Sequence, residues 1–166
     1  MIIGLAPGLH GANASGRPFT GDASGDLLFD RLHHHGFASQ ARSRSLDDDM
    51  RLIDCRITNA VKCVPPQNLP TAAEKASCNH YLAAEIDALP DQAVLLTLGG
   101  IAHAMTLRAL GLRAADYRFG HANRYALPDG RQLLSSDHPS RYNINTGRLT
   151  VPDFDRVIGT ARELLA

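Results

Sequence analysis

The chain has 166 residues, 44% of them hydrophobic and 20% charged, a length that supports one domain burying roughly 70% of the surface its unfolded form would expose. Seventeen basic residues balance seventeen acidic ones, which excludes the strongly basic footprint of a tight nonspecific nucleic-acid binder, and no apolar run has the length of a bilayer span. Three cysteines argue against a secreted disulfide framework, and the opening Met1-Ile2-Ile3-Gly4-Leu5 carries neither a basic leader nor a signal-peptide core, so the expectation is a cytoplasmic protein.

In chain order, Met1 to Leu5 is a short apolar run ended by Ala6-Pro7-Gly8, which predicts a buried strand running into a loop. From Gly8 to Gly21 the sequence is rich in Gly, Asn, Ser and Pro and has no period, which marks a long ordered or functional loop. Leu27, Leu28, Phe29 and Leu32 mark one face of a helix that stops near Gly36. Cys55 to Val61 reads as a second strand. After the proline-rich stretch from Val64 to Pro70, Thr71-Ala72-Ala73-Glu74 matches a capping box opening a helix to about Leu89. Ala93 to Leu98 is the unbroken apolar run of a central parallel strand, ended by Gly99-Gly100 and followed by a helix to Leu110. Leu133 to Ser136 predicts one more strand, and Pro152 to Leu165 a closing helix.

Strands alternating with helices predict an α/β fold, a three-layer α/β/α sandwich around a mostly parallel four-stranded sheet, with one domain spanning residues 1–166. Ligands of such sheets bind beyond the carboxyl ends of the strands, so chemistry is expected in the loops starting at Ala6, Lys62, Gly99 and Asp137.

Three of these segments carry specific signals. They are Gly4-Leu5-Ala6-Pro7-Gly8 continuing to Gly16-Arg17-Pro18-Phe19-Thr20-Gly21-Asp22, then Thr58-Asn59-Ala60-Val61-Lys62-Cys63, then His138-Pro139-Ser140-Arg141-Tyr142-Asn143. Together they resemble the signature motifs of the family 4 and family 5 uracil-DNA glycosylases, and the resemblance runs over nearly the whole chain. Leu5 stands where family 4 carries an acidic residue, which is similar to the family 5 (type B) pattern, as are the Gly16-to-Asp22 stretch and the tail from Asn145 to Thr150. The resemblance implies a base-excision repair enzyme that hydrolyses the N-glycosidic bond of uracil, and of other deaminated bases, in DNA.

The residue chemistry suits that reaction. Cleaving an N-glycosidic bond develops positive charge on the sugar and negative charge on the departing base, so the site needs donors for the base oxygen, a way to place water, and a pocket that identifies the base. His138 at a strand end is placed to donate to the uracil O2, the alternative being a buried structural histidine. Asn59 offers a donor and an acceptor that match the uracil edge, or else satisfies loop backbone. Phe19, in a polar loop, is the stacking partner for a flipped base or plain loop packing. Gly4, Ala6, Pro7, Gly8 and Ser140 would complete the substrate pocket.

Asp22 is the candidate for placing water or stabilising the oxocarbenium ion, with Asp26 as its rival; either could instead cap the helix beginning near Ser24. Asn143 is a candidate for orienting water or for a turn cap, while Arg141 and Tyr142 suit phosphate contact or insertion into the duplex, or form a solvated loop. The local surplus of arginine from Tyr117 to Thr150 is compatible with phosphate contacts. Asp137, ionised beside His138, would favour the imidazolium.

By resemblance Cys63 and Cys78 form the second half of a four-cysteine [4Fe-4S] site whose N-terminal pair this sequence lacks; as residues alone they are equally free thiols. No catalytic metal is implied. His33-His34-His35 points in different directions on a helix, and the positive charge favoured at a helix C-terminus accounts for it better than a metal. The partner expected is damaged DNA, engaged by a monomer. Two rivals remain at this point: a DNA- or RNA-binding relative without activity, and a hydrolase of free nucleosides or nucleotides.

Overall fold

The structure, a computed structural model, describes residues 1–166 apart from the side chain of Asn68. In chain order the elements are β1 (Ile2–Gly4), α1 (Ala12–Ser15), α2 (Ala23–His34), β2 (Ile57–Asn59), α3 (Ala72–Asp87), β3 (Val94–Leu98), α4 (Gly100–Ala109), β4 (Arg124–Ala126), β5 (Gln132–Ser136), α5 (Arg141–Asn145) and α6 (Val151–Glu163), with a 3-10 turn at Pro66–Asn68. The sheet order is β2-β1-β3-β5-β4. Pairing is parallel from β2 through β5, and β4 is antiparallel to β5.

The sheet therefore has five strands where the sequence pattern predicts four. The fifth is a three-residue edge whose Arg124 and Ala126 are exposed, so no apolar run announces it. It is the first arm of a hairpin closed at Pro128-Asp129-Gly130, where the Gly130 amide donates to the Leu127 carbonyl at 3.1 Å.

Both faces of the sheet are covered because β1, β3 and β5 are apolar on each side. Period-2 alternation sends Ile2, Val94, Leu96, Leu98 and Leu134 toward α2 and α6, where they meet Leu28, Phe29, Leu32, Phe154 and Ile158. Ile3, Leu95 and Leu133 face the other way, toward Leu82 and Ile86 of α3 and Ala102 and Met105 of α4. Each fully buried side chain of this kind contributes about 1.5–3 kcal/mol. The predicted capping box is present: the Glu74 amide donates to Thr71 Oγ1 at 3.2 Å, and the Thr71 amide to Glu74 Oε2 at 2.7 Å. No helix among the described residues is long and apolar enough to cross a membrane.

Candidate active site

In parallel register β1 and β2 end together, with Gly4 opposite Asn59. Strand β5 ends at the same rim, two residues before His138. The loops leaving these strands enclose a cavity of about 410 Å³, toward the small end of the roughly 300–1,000 Å³ usual for small-molecule pockets. Ala6, Pro7, Gly8, Phe19, Asp22, Asn59, His138 and Ser140 all line it, joined by Leu5, which the sequence marked only for its position in the first motif, and by Ala12, Ser24 and Pro65, which were not among the expected site residues.

Gly4 stands behind this wall and sets its thickness. A Cβ there would fall 2.6 Å from Asn59 Oδ1 and 2.7 Å from Phe19 Cε2, so only glycine lets the amide and the ring close on the β1 backbone together. Phe19 is 8% exposed, and its ring stacks on the His138 imidazole with centroids 5.8 Å apart and planes 29° apart. Three segments remote in the chain thus meet at one slot.

Asn59 is also 8% exposed and lines the cavity, and no buried side-chain polar atom among the described residues lacks a partner. Its strand is pinned from outside by a charge cluster. Lys62 Nζ donates to Thr58 Oγ1 at 2.8 Å and to Glu85 Oε2 at 2.7 Å, and the Thr58 hydroxyl donates to the same carboxylate oxygen at 2.8 Å. Sequence reading missed this brace, because Lys62 and Glu85 lie on different elements with no motif joining them.

Burial pushes the His138 imidazole below its ordinary value, and the smaller opposing influence is the Asp22 carboxylate. The ring is therefore neutral near pH 7, with one nitrogen able to donate. This corrects the expectation for Asp137. Its carboxylate turns to Arg148, with Oδ1 3.1 Å from Nε, and the charge felt by His138 comes from Asp22 instead.

Asp22 combines two of the roles the sequence left open. It is the N-cap of α2, with Oδ1 accepting from the Gly25 amide at 2.9 Å, and it borders the cavity. Its rival Asp26 lies in the first turn of α2, exposed and away from the cavity lining. Asn143 is not brought to the cavity. Its Nδ2 donates to the His138 carbonyl at 2.8 Å while its own amide donates to Ser140 Oγ at 3.2 Å, so the N-terminus of α5 cinches the histidine loop. Arg141 and Tyr142 open α5 on the outer side of that cap, and Tyr142 is 73% exposed.

Cys63 is exposed after β2, Cys78 is buried on α3 among core residues, and Cys55 lies at the opposite end of the sheet beside Met1. The one group among the described residues that gathers three metal-ligating atoms, within 4.8 Å of one another, contains no cysteine: it is His34, His35 and Asp155. His35 is the C-cap of α2, which frees its ring from the helical direction expected of it. The Asp155 oxygen bonded to His35 at 3.0 Å is also held by Arg31 at 3.1 Å, a fixed cation that opposes a metal ion there.

Comparison with known proteins agrees with this architecture. The profile of the Uracil DNA glycosylase superfamily matches residues 1–162. The chain is 45% identical over 164 residues to the type-5 uracil-DNA glycosylase of Thermus thermophilus, covering 99% of this chain and 74% of that protein. It is 42% identical over 166 residues to the type-5 enzyme of Mycobacterium tuberculosis, covering 99% of this chain and 62% of that protein. Against the type-4 uracil-DNA glycosylase of Thermotoga maritima the identity is 32% over 142 residues, 84% of this chain and 64% of that protein. From its motifs, its sheet and these similarities, the chain belongs to the uracil DNA glycosylase superfamily.

Proposed function

We propose that this chain hydrolyses the N-glycosidic bond of uracil in DNA, acting as a single domain and as a monomer. One observation carries the reading: the amide of Asn59, the ring of Phe19 and the imidazole of His138 line one cavity at the carboxyl rim of the sheet. An amide, a flat apolar surface and a neutral donor are what a pyrimidine offers partners for at its edge, its face and its O2.

The reaction divides among these residues. A flipped nucleotide stacks its base on Phe19, an interaction worth roughly 1–3 kcal/mol. Asn59 meets the uracil edge. As the bond between C1′ and N1 breaks, its electron pair leaves with the base, and the neutral His138 donates to the oxygen on which negative charge collects. The Asp22 carboxylate, bordering the same cavity, faces the cationic sugar and orients the water that adds to C1′. Asn143 and Ser140 hold the histidine loop so that the ring points into the cavity. Arg141 and the exposed Tyr142 lie beside that loop and engage the phosphate backbone or the duplex flanking the extruded base.

The test is release of uracil from a labelled duplex by the wild-type chain and by His138→Ala and Asn59→Ala. The proposal requires release by the wild type and loss of most of it in both variants. Binding to the uracil duplex without release would favour a noncatalytic DNA-binding protein.

A further inference from the structure

Phe19 sits at φ 55, in the left-handed region that an aromatic residue adopts only when its surroundings impose it. The surroundings are a polar frame outside the cavity. The Ser15 hydroxyl donates to the Thr20 carbonyl at 3.0 Å, and the buried Thr20 and Ser43 hydroxyls share a bond of 2.6 Å. Arg17 Nη1 donates to both Ser43 Oγ and Asp48 Oδ1 at 2.7 Å, and its Nη2 to the Leu46 carbonyl at 3.2 Å. Asp48 in turn accepts from the backbone amides of Ser45 and Met50, at 3.3 and 3.2 Å. Both charged side chains are largely shielded, 17% and 12% exposed. The residues on either side of the ring are therefore tied to the segment from Ser43 to Met50.

A largely buried pair of this kind yields little net stability, because desolvation offsets its attraction, but losing one partner leaves the other charge stranded. Its value lies in selecting one conformation. None of Arg17, Ser43 and Asp48 borders the cavity. We propose that the Arg17–Asp48 pair is a positioning device for Phe19, fixing the loop in the strained conformation that presents the ring to the base. The inference rests on the reading of Phe19 as the stacking surface.

Two measurements separate the proposal from that reading. The first is a double-mutant cycle on uracil release under single-turnover conditions. Asp48→Asn should slow release by roughly 10-fold, part of the stacking contribution, and in a Phe19→Ala background it should change the rate by less than about 2-fold. Arg17→Lys, which keeps the charge but loses the fork, should fall between Asp48→Asn and the wild type. A normal rate in Asp48→Asn, or an equal loss with and without Phe19, would overturn the proposal.

The second measurement needs no activity. The chain contains no tryptophan, so Phe19→Trp places a single indole in the slot. Adding Asp48→Asn should shift its emission to the red and raise its quenching by acrylamide, with Arg17→Lys doing the same to a smaller extent if Asp48→Asn does not fold. An unchanged indole in either background would overturn the positioning role. A more exposed indole in the Asp48→Asn background, together with no uracil release from the wild-type chain, would keep that role and sink the glycosylase reading alone.

Discussion

Gly4→Ala tests the site at the point where its parts converge. The added methyl would sit 2.6 Å from Asn59 Oδ1 and 2.7 Å from Phe19 Cε2, against an ordinary contact of 3.4 Å, so each must retreat by ~0.7–0.8 Å. Overpacking of this kind costs about 1–3 kcal/mol, which for a chain of this length lowers the melting temperature by roughly 3–10 °C. The effect on catalysis should be larger than that on stability. A misplacement of about 1 Å can cost 100-fold in rate, and here the same methyl displaces both the group that reads the base edge and the ring that supports its face. Single-turnover release of uracil from a labelled duplex, measured at 25 °C well below unfolding, gives the rate. The control is Ile86→Val, a buried position on the far face of the sheet, which should cost about 0.5–1.5 kcal/mol and leave the rate alone. A Gly4→Ala protein that is destabilised but releases uracil at the wild-type rate would refute the assignment of Asn59 and Phe19 to the base.

Other outcomes follow from the same geometry. His138→Ala should lower the single-turnover rate about 100-fold to 1000-fold, the usual cost of one donor to a developing oxyanion; a loss below 10-fold would remove the histidine from the chemistry. Burial lowers the folded-state values of both His138 and His103 below the ordinary 6.5. The unfolded chain therefore binds more protons as the pH falls through 6.5, and the stability held by these neutral rings, fully present above that pH, is lost as the pH falls below it. The melting temperature should fall across that window and fall less in His138→Gln, and a flat profile in the wild type would contradict the neutral imidazole. Arg141→Ala should weaken DNA binding evenly across sequences and reduce the slope of log affinity against log salt by about 0.9, as expected for one lost phosphate contact. An unchanged slope would place Arg141 away from the backbone.

Much of this arrangement was legible in the sequence because it is written locally. The Thr71 and Glu74 pair announces the start of α3 and forms the box it predicts. The apolar runs at Ile2-Ile3 and Val94 to Leu98 mark strands buried on both faces, and the loops that follow β1, β2 and β5, though not the one after β3, supply the cavity. Strand β4 was missed because three residues with two exposed carry no period, although Pro128-Asp129-Gly130 is a turn signal that could have found the hairpin. What the sequence could not show depends on where a side chain turns. Asp137 adjoins His138 in the chain but turns to Arg148, and Asn143 spends its amide on the His138 carbonyl. The braces around the site, Lys62 with Glu85 and Arg17 with Asp48, join residues 23 and 31 positions apart, and no periodicity or motif links such pairs.

The most direct measurement of the central claim is the product of the reaction on a duplex carrying a single labelled uracil. The account predicts free uracil and an abasic strand from the wild-type chain, with Asn59→Ala and His138→Ala each forming them far more slowly. Equal product from all three proteins, or an intact strand after prolonged incubation with the wild type, would contradict it.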